Sequence, residues 1–174
     1  LCLLSLLTLG SCGEQVEENK IPSYYKDELP EKVSGFEGQT LTIYNCEDYI
    51  SSTFDEEEGY IDLIALFEYI YDVKVNYYTF DTVETMYNQM NLQNEGYYDL
   101  ICPSDYMIQR LINEDKLEKM DSTKLDVYNK YAAKNIKTTL DNMEASVLDE
   151  NGNKKKLGDY AAGYMWGTMG VIYD

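Results

Sequence analysis

No histidine occurs in the 174 residues, and 14 lysines and arginines stand against 32 aspartates and glutamates. The first absence removes the commonest general base and the commonest zinc ligand together. Hydrolytic and metal-centred chemistry thus lose their usual carriers, and neither a metal site nor a cofactor is expected. The second leaves a net charge of -18 without a basic stripe, which a nucleic-acid backbone would repel. Charge of this sign does not by itself name a cationic ligand, because it reports solubility and long-range steering. A Gly-rich phosphate loop and a Gly-x-Ser-x-Gly elbow are also missing, so no enzyme class is indicated on this scaffold. Proline occurs three times and tryptophan once. What is present suffices for a core: 44% of residues are apolar and 13% aromatic, in a length that suits one ordinary domain.

The one long apolar run is LCLLSLLTLG at residues 1–10. As a helix it reaches about 15 Å, half of a bilayer core of about 30 Å, so it fits the apolar part of a secretory signal better than a membrane span. Leu9-Gly10-Ser11-Cys12 follows, then polar GEQVEENK. This resembles the lipobox of bacterial lipoproteins, in which the cysteine becomes the N-terminus and carries acyl chains; several chains on one residue anchor where one does not. A plain secretory signal with an incidental cysteine is the other reading of the same residues. Residues 1–12 are therefore expected to be part of a lipoprotein signal with Cys12 as the lipidation site. Residues 13–39, polar, acidic and holding two of the three prolines, are expected to form a flexible tether. The folded part should run from 40 to 174, and the uncapped apolar run Gly170–Tyr173 before Asp174 reads as the edge of a longer chain.

Within 40–174 the pattern alternates. Leu41–Tyr44 reads as a strand and Gly59–Tyr71 as a helix. Ile61, Ile64, Ala65 and Glu68 share one side of that helix, and Leu63, Leu66, Phe67 and Ile70 widen the apolar stripe enough to predict cover on most of its surface. Val73–Tyr77 reads as a strand, Asp81 as the cap of a helix reaching Asn94, and Tyr98–Cys102 as a third strand. Ser104 can cap a helix to about Asp115 with Met107, Ile108, Leu111 and Ile112 at core spacing. Tyr128–Asn142 has helical character. Leu148–Leu157, including the Lys154–Lys156 run, reads as a solvated turn, and Ala161–Trp166 and Gly170–Tyr173 read as two strands. This β-α-β-α-β order implies an α/β fold with a mainly parallel sheet, whose ligands bind beyond the carboxyl ends of the strands. The loops Asn45–Tyr49 and Pro103–Tyr106 occupy that place.

Four segments, in order, resemble the bacterial spermidine/putrescine-binding proteins, the solute-binding lipoproteins of polyamine ABC transporters. They are LTIYNCEDYI at 41–50, Phe80-Asp81 with Glu84-Thr85-Met86-Tyr87, YDLICPSDY at 98–106, and YMWGT at 164–168. The resemblance implies a periplasmic-binding-protein-like, two-lobed fold, this chain covering mainly the N-terminal lobe and ending near the first hinge crossover. It implies a monomer outside the cytoplasm, in the periplasm or on the outer face of the cytoplasmic membrane. Spermidine or putrescine would be captured by lobe closure and passed to permease and ATPase subunits. A solute-binding lipoprotein for a sugar or an amino acid is the alternative, and a surface adhesin that no longer serves transport is a more distant one.

A polyamine is a hydrocarbon chain with spaced ammonium groups, so its site needs carboxylate acceptors and aromatic walls. By the family match, Asp48 would meet an ammonium, Tyr49 and Tyr106 would serve as walls or phenolic acceptors, and Ser104 as a smaller polar contact. Glu47 is a weaker candidate. Cys46 stands where the family commonly has tryptophan, and a thiol offers no broad face to methylenes or ammonium. From the residues alone, Ser104 reads equally as a helix cap, and most of the 18 tyrosines as half-buried packing residues. Cys46 and Cys102 end strands that the family places side by side; a disulfide is conceivable, but free thiols are our reading. Trp166 is expected to pack in the core near the hinge.

Overall fold

The computed structural model describes residues 31–167 apart from 48, 54, 56 and 58. The expected signal with Cys12, residues 13–30 of the expected tether, and the expected strand at 170–173 lie outside the described residues. The chain divides into two compact units, one ending at Thr79 and the other starting at Phe80.

In the first unit, β1 (Thr40–Cys46) carries four consecutive buried residues, Thr42, Ile43, Tyr44 and Asn45. A strand covered on both faces reads as such a run rather than as an alternation. Strand β2 (Lys74–Phe80) lies beside β1 in the same sheet. Helix α1 (Leu63–Tyr71) begins four residues later than expected because the buried Asp62 caps it, its carboxylate accepting from the Ala65 N–H at 2.9 Å. Upstream, Asp55 and Tyr60 form an antiparallel bridge around Gly59, whose φ of 76° suits a residue without Cβ. The helix ends on Asp72 in the left-handed conformation, and Glu68 from its last turns accepts the Val75 N–H at 2.7 Å, tying helix to strand.

Helix α1 is covered on most of its surface, as its wide stripe requires: Ala65 is buried, the others are half-buried, and Leu63 and Phe67 are the two exposed residues. Phe67 stacks on Tyr71 with ring centroids 4.5 Å apart. Residues 33–38, within the expected tether, are hydrogen-bonded to the end of α1. The Val33 N–H donates to the Ile70 carbonyl at 2.8 Å and that of Gly38 to Asp72 at 3.0 Å. Lys32 lies over the Tyr69 ring, and Phe36 meets the Tyr71 ring edge-on. Acidic composition hid a segment held mainly by backbone donors, which side-chain patterns do not report.

In the second unit, α2 (Val83–Met90) is capped by Thr82, whose hydroxyl accepts from the Thr85 N–H at 3.1 Å. Asp81, the expected cap, accepts from the Thr82 N–H at 2.7 Å one position too early, and the helix stops four residues short of Asn94. Strand β3 (Leu100–Ile101) is the middle of the expected strand. Helix α3 (Asp105–Asn113) buries Met107, Leu111 and Ile112 as their spacing requires. Residues 126–142 form two helices, α4 (Asp126–Tyr131) and α5 (Lys134–Asn142), because Ala132 and Ala133 between them take extended backbone angles.

The Lys154–Lys156 run is not a solvated loop but β5, paired antiparallel with β4 (Glu144–Leu148). The hairpin turn is built on Asp149, whose carboxylate accepts the N–H groups of Asn151 and Asn153 at 2.9 and 2.8 Å. The lysines are spent on carboxylates, Lys154 on Glu144 at 3.2 Å and Lys155 on Asp115 at 2.9 Å. Residues 161–167 are not a strand either. The Gly163 N–H donates to the Tyr128 hydroxyl at 3.0 Å, and a Cβ on Gly163 would stand 2.5 Å from the Ile136 methyl, so the segment runs close against the α4–α5 region. The core of this unit gathers Ile112, Ala145 and Leu157, with Ile108, Leu140, Met143 and Val147 packed around them.

Glu114, just past α3, accepts from Arg110 Nε at 2.9 Å and from the Tyr87 hydroxyl at 2.8 Å, while the Arg110 guanidinium lies 3.8 Å from the Tyr87 ring centroid. The Arg110 bond above all, with help from the Tyr87 bond and the charges of Arg110 and Lys116, holds the Glu114 carboxyl below its ordinary range against the opposing effect of burial. A depressed carboxylate adds stability above its unfolded-state pKa and loses it as pH falls through the folded value. Urea melts should therefore show Glu114→Gln less stable than the parent at pH 7, with the gap closing as pH falls below the ordinary carboxylate range; a gap independent of pH would contradict this origin.

Candidate functional site

Strand β1 of the first unit ends on Cys46, and Glu47 and Tyr49 come just after it. Cys46 is half-buried, Glu47 and Tyr49 are exposed, and Asp48 lies outside the described residues. The residue that fixes this strand end is one that sequence reasoning did not single out. Asn45 is 2% exposed. Its side-chain amide donates to the Tyr77 hydroxyl at 3.1 Å, and its amide oxygen accepts from the Cys46 N–H at 2.8 Å. A buried amide satisfied on both sides holds the strand end to β2 and sets the backbone of the next residue. The available signal was a polar residue closing an apolar strand, within the Tyr44-Asn45 pair already quoted for the resemblance.

In the second unit, the start of α3 presents Ser104 at the N-cap position and Tyr106 in the first turn, both exposed. Ser104 occupies the N-cap position but makes no side-chain capping bond. The first-turn N–H of Tyr106 goes instead to the Asp105 carboxylate at 2.7 Å. Ser104 thus stands where a cap was expected, its carbonyl accepting from the Met107 and Ile108 N–H groups, but among the described residues its hydroxyl does not do the capping.

Tyr106 is 50% exposed, and its hydroxyl donates to Glu84 Oε1 at 2.8 Å. The bond from Tyr106 holds the Glu84 carboxyl below its ordinary range, and the same bond holds the Tyr106 phenol above its own. Glu84 was not among the expected site residues, although it stands in the Glu84-Thr85-Met86-Tyr87 segment. Its proximity to Tyr106 depends on how α2 and α3 sit, which no local pattern reports.

Trp166 is not core: it is 66% exposed, beside Tyr164 and Met165 on a shallow cleft that also touches Ala132, Ala133 and Ile136. Neither Cys46 nor Cys102 is part of a disulfide. Among the described residues no group of three or more Cys, Asp or Glu could hold a metal ion, and no helix is long and apolar enough to cross a membrane.

No family model matches the sequence. Over 139 residues, 78% of this chain and 32% of the relative, it is 26% identical to the spermidine/putrescine-binding periplasmic protein of Escherichia coli K12. It is 29% identical over 138 residues to the putrescine-binding periplasmic protein PotF of the same organism, covering 79% of this chain and 31% of that one. A solved spermidine/putrescine ABC transporter substrate-binding protein, PotD from Streptococcus pneumoniae, is 35% identical over 53% of this chain and 25% of its own, with a TM-score of 0.42. The chain spans about a third of the length of the curated relatives it matches. The curated relatives it matches are thus periplasmic solute-binding proteins. Within that class they are those named for spermidine and putrescine, the group that the four sequence segments resemble.

Proposed function

We propose that the protein captures spermidine or putrescine outside the cytoplasm and delivers it to the permease and ATPase subunits of an ABC transporter. The observation that carries this reading is the similarity to polyamine-binding proteins over 78% of the chain. The exposed Tyr106 with the Glu84 carboxylate behind its hydroxyl supplies the aromatic and acidic chemistry that an ammonium requires. The ligand-contacting residues proposed on this chain are Glu47, Asp48 and Tyr49, which follow β1 in the sequence, and Ser104 and Tyr106 from the N-terminal end of α3. Cys46, at the position of a family tryptophan, supplies no aromatic wall. The lipid anchor on Cys12, capture by closure of two lobes, and a monomeric state complete the proposal.

Calorimetric titration of the whole mature protein with spermidine, putrescine, a neutral sugar and a neutral amino acid tests it. Binding of at least one polyamine, with no heat from the neutral solutes, is the expected result. Silence with both polyamines refutes the reading, and heat from a sugar or amino acid in their place favours the solute-binding alternative.

A further inference from the structure

We propose that Glu84 is a positioning residue for the ligand, acting through Tyr106: by accepting the phenolic proton it leaves the Tyr106 oxygen able only to accept, and so fits it to an ammonium. The inference rests on the polyamine reading and deepens it by naming what makes this part of the site select positive charge.

A phenolic hydroxyl ordinarily offers one donor and its lone pairs, so it can receive either an acceptor or a donor from a ligand. Here the donor is used, since the Tyr106 hydroxyl lies 2.8 Å from Glu84 Oε1. What remains are lone pairs on an oxygen polarised by a neighbouring carboxylate, and a charge-assisted bond of this kind strengthens the next one in the chain. An ammonium has only N–H donors to give and is matched; a ligand carbonyl or carboxylate finds no proton and is rejected. Glu84 can hold this role because it stays ionised, its carboxyl kept below the ordinary range chiefly by the Tyr106 bond. Among the described residues it enters no ion pair with lysine or arginine. The first turn of α2 sets its position, through the Thr82 cap bond to the Thr85 N–H. Tyr106 is half exposed, so its ring is open to a ligand while its hydroxyl is tethered from behind.

The test is a double-mutant cycle on the whole mature protein, read by calorimetry with spermidine. Glu84→Ala should weaken spermidine about tenfold with an unchanged melting temperature. Tyr106→Phe should weaken it at least as much, and the double variant should be no weaker than Tyr106→Phe alone. Glu84→Gln, which keeps an acceptor oxygen, should recover part of the loss. A second readout needs no ligand: with 3-fluorotyrosine placed at position 106, the fluorine titration midpoint should fall in Glu84→Ala relative to the parent. Parental affinity in Glu84→Ala, a Glu84 effect undiminished on the Tyr106→Phe background, or an unmoved midpoint overturns the proposal. A parent that binds neither polyamine refutes the polyamine reading and this inference with it, and is distinguished by the parent titration itself.

Discussion

Leu157→Ala is expected to lower the free energy of unfolding by about 2–5 kcal/mol, the range for emptying a buried leucine site. Leu157 is fully buried. It opens the short 3-10 turn that follows β5, and its N–H donates to the Met143 carbonyl at 3.0 Å. Backbone and side chain are thus fixed together. Ile112 from α3 and Ala145 from β4 meet it in the core, with Leu140 and Met143 at the edge. Because separate elements each anchored by their own hydrogen bonds converge on the side chain, none can move far to fill the void, which places the cost toward the upper part of the range. Leu148→Ala is the control: that leucine lies one hairpin turn away and is 58% exposed, so its loss should fall within about 0.5 kcal/mol of zero. Urea denaturation of parent and both variants checks this, and equal shifts for the two leucines would contradict the assignment of the core.

Tyr106→Ala is expected to weaken polyamine binding by about 1–3 kcal/mol, roughly ten- to hundredfold, with little change in stability. The substitution removes two contributions together. The ring is half exposed, so it offers a face to methylenes and ammonium and does not support the core. The hydroxyl, tethered to Glu84, offers a charge-assisted acceptor. Tyr106→Phe keeps the first and loses the second, so its effect should lie between parent and alanine. Asp48, outside the described residues, is assigned by resemblance as the direct ammonium partner, and Asp48→Asn should cost at least as much as Tyr106→Ala. Cys46→Trp should act in the opposite direction and tighten binding by restoring the aromatic wall. Calorimetry on the four variants checks the ranking. An unchanged affinity in both Tyr106→Ala and Asp48→Asn would remove these residues from the site.

The order of strands and helices could be read from the sequence wherever local chemistry and burial agree. The run Thr42–Asn45 is a covered strand, and Met107 and Leu111 sit one helical turn apart on the buried side of α3, with Ile112 beside Leu111. Boundaries failed where two capping residues stood side by side. Asp81 and Thr82 are both good caps, and only the bond that Thr82 makes to Thr85 decides between them. The lysine run was misread because its charge suggests solvent, whereas each strand residue finds pairing or a carboxylate through a hairpin set by Asp149. Residues 161–167 were misread because an apolar run resembles a strand even when its backbone donor goes to a tyrosine hydroxyl. At the site, residue types in the two loops were legible, and family resemblance supplied their roles. Asn45 and Glu84 were not, because each acts through a residue distant in sequence, Tyr77 and Tyr106, and such pairs leave no local pattern.

The central claim is that this chain contributes ligand-contacting residues to a polyamine site. The most direct measurement is a crystal structure of the whole mature protein grown with spermidine. The account requires a spermidine nitrogen within about 3.2 Å of the Tyr106 hydroxyl oxygen, a hydrogen-bond distance. The Tyr106 hydroxyl should still donate to Glu84, and Asp48 should meet an ammonium group. Spermidine bound elsewhere, or a Tyr106 hydroxyl turned away from both Glu84 and the ligand, would contradict it.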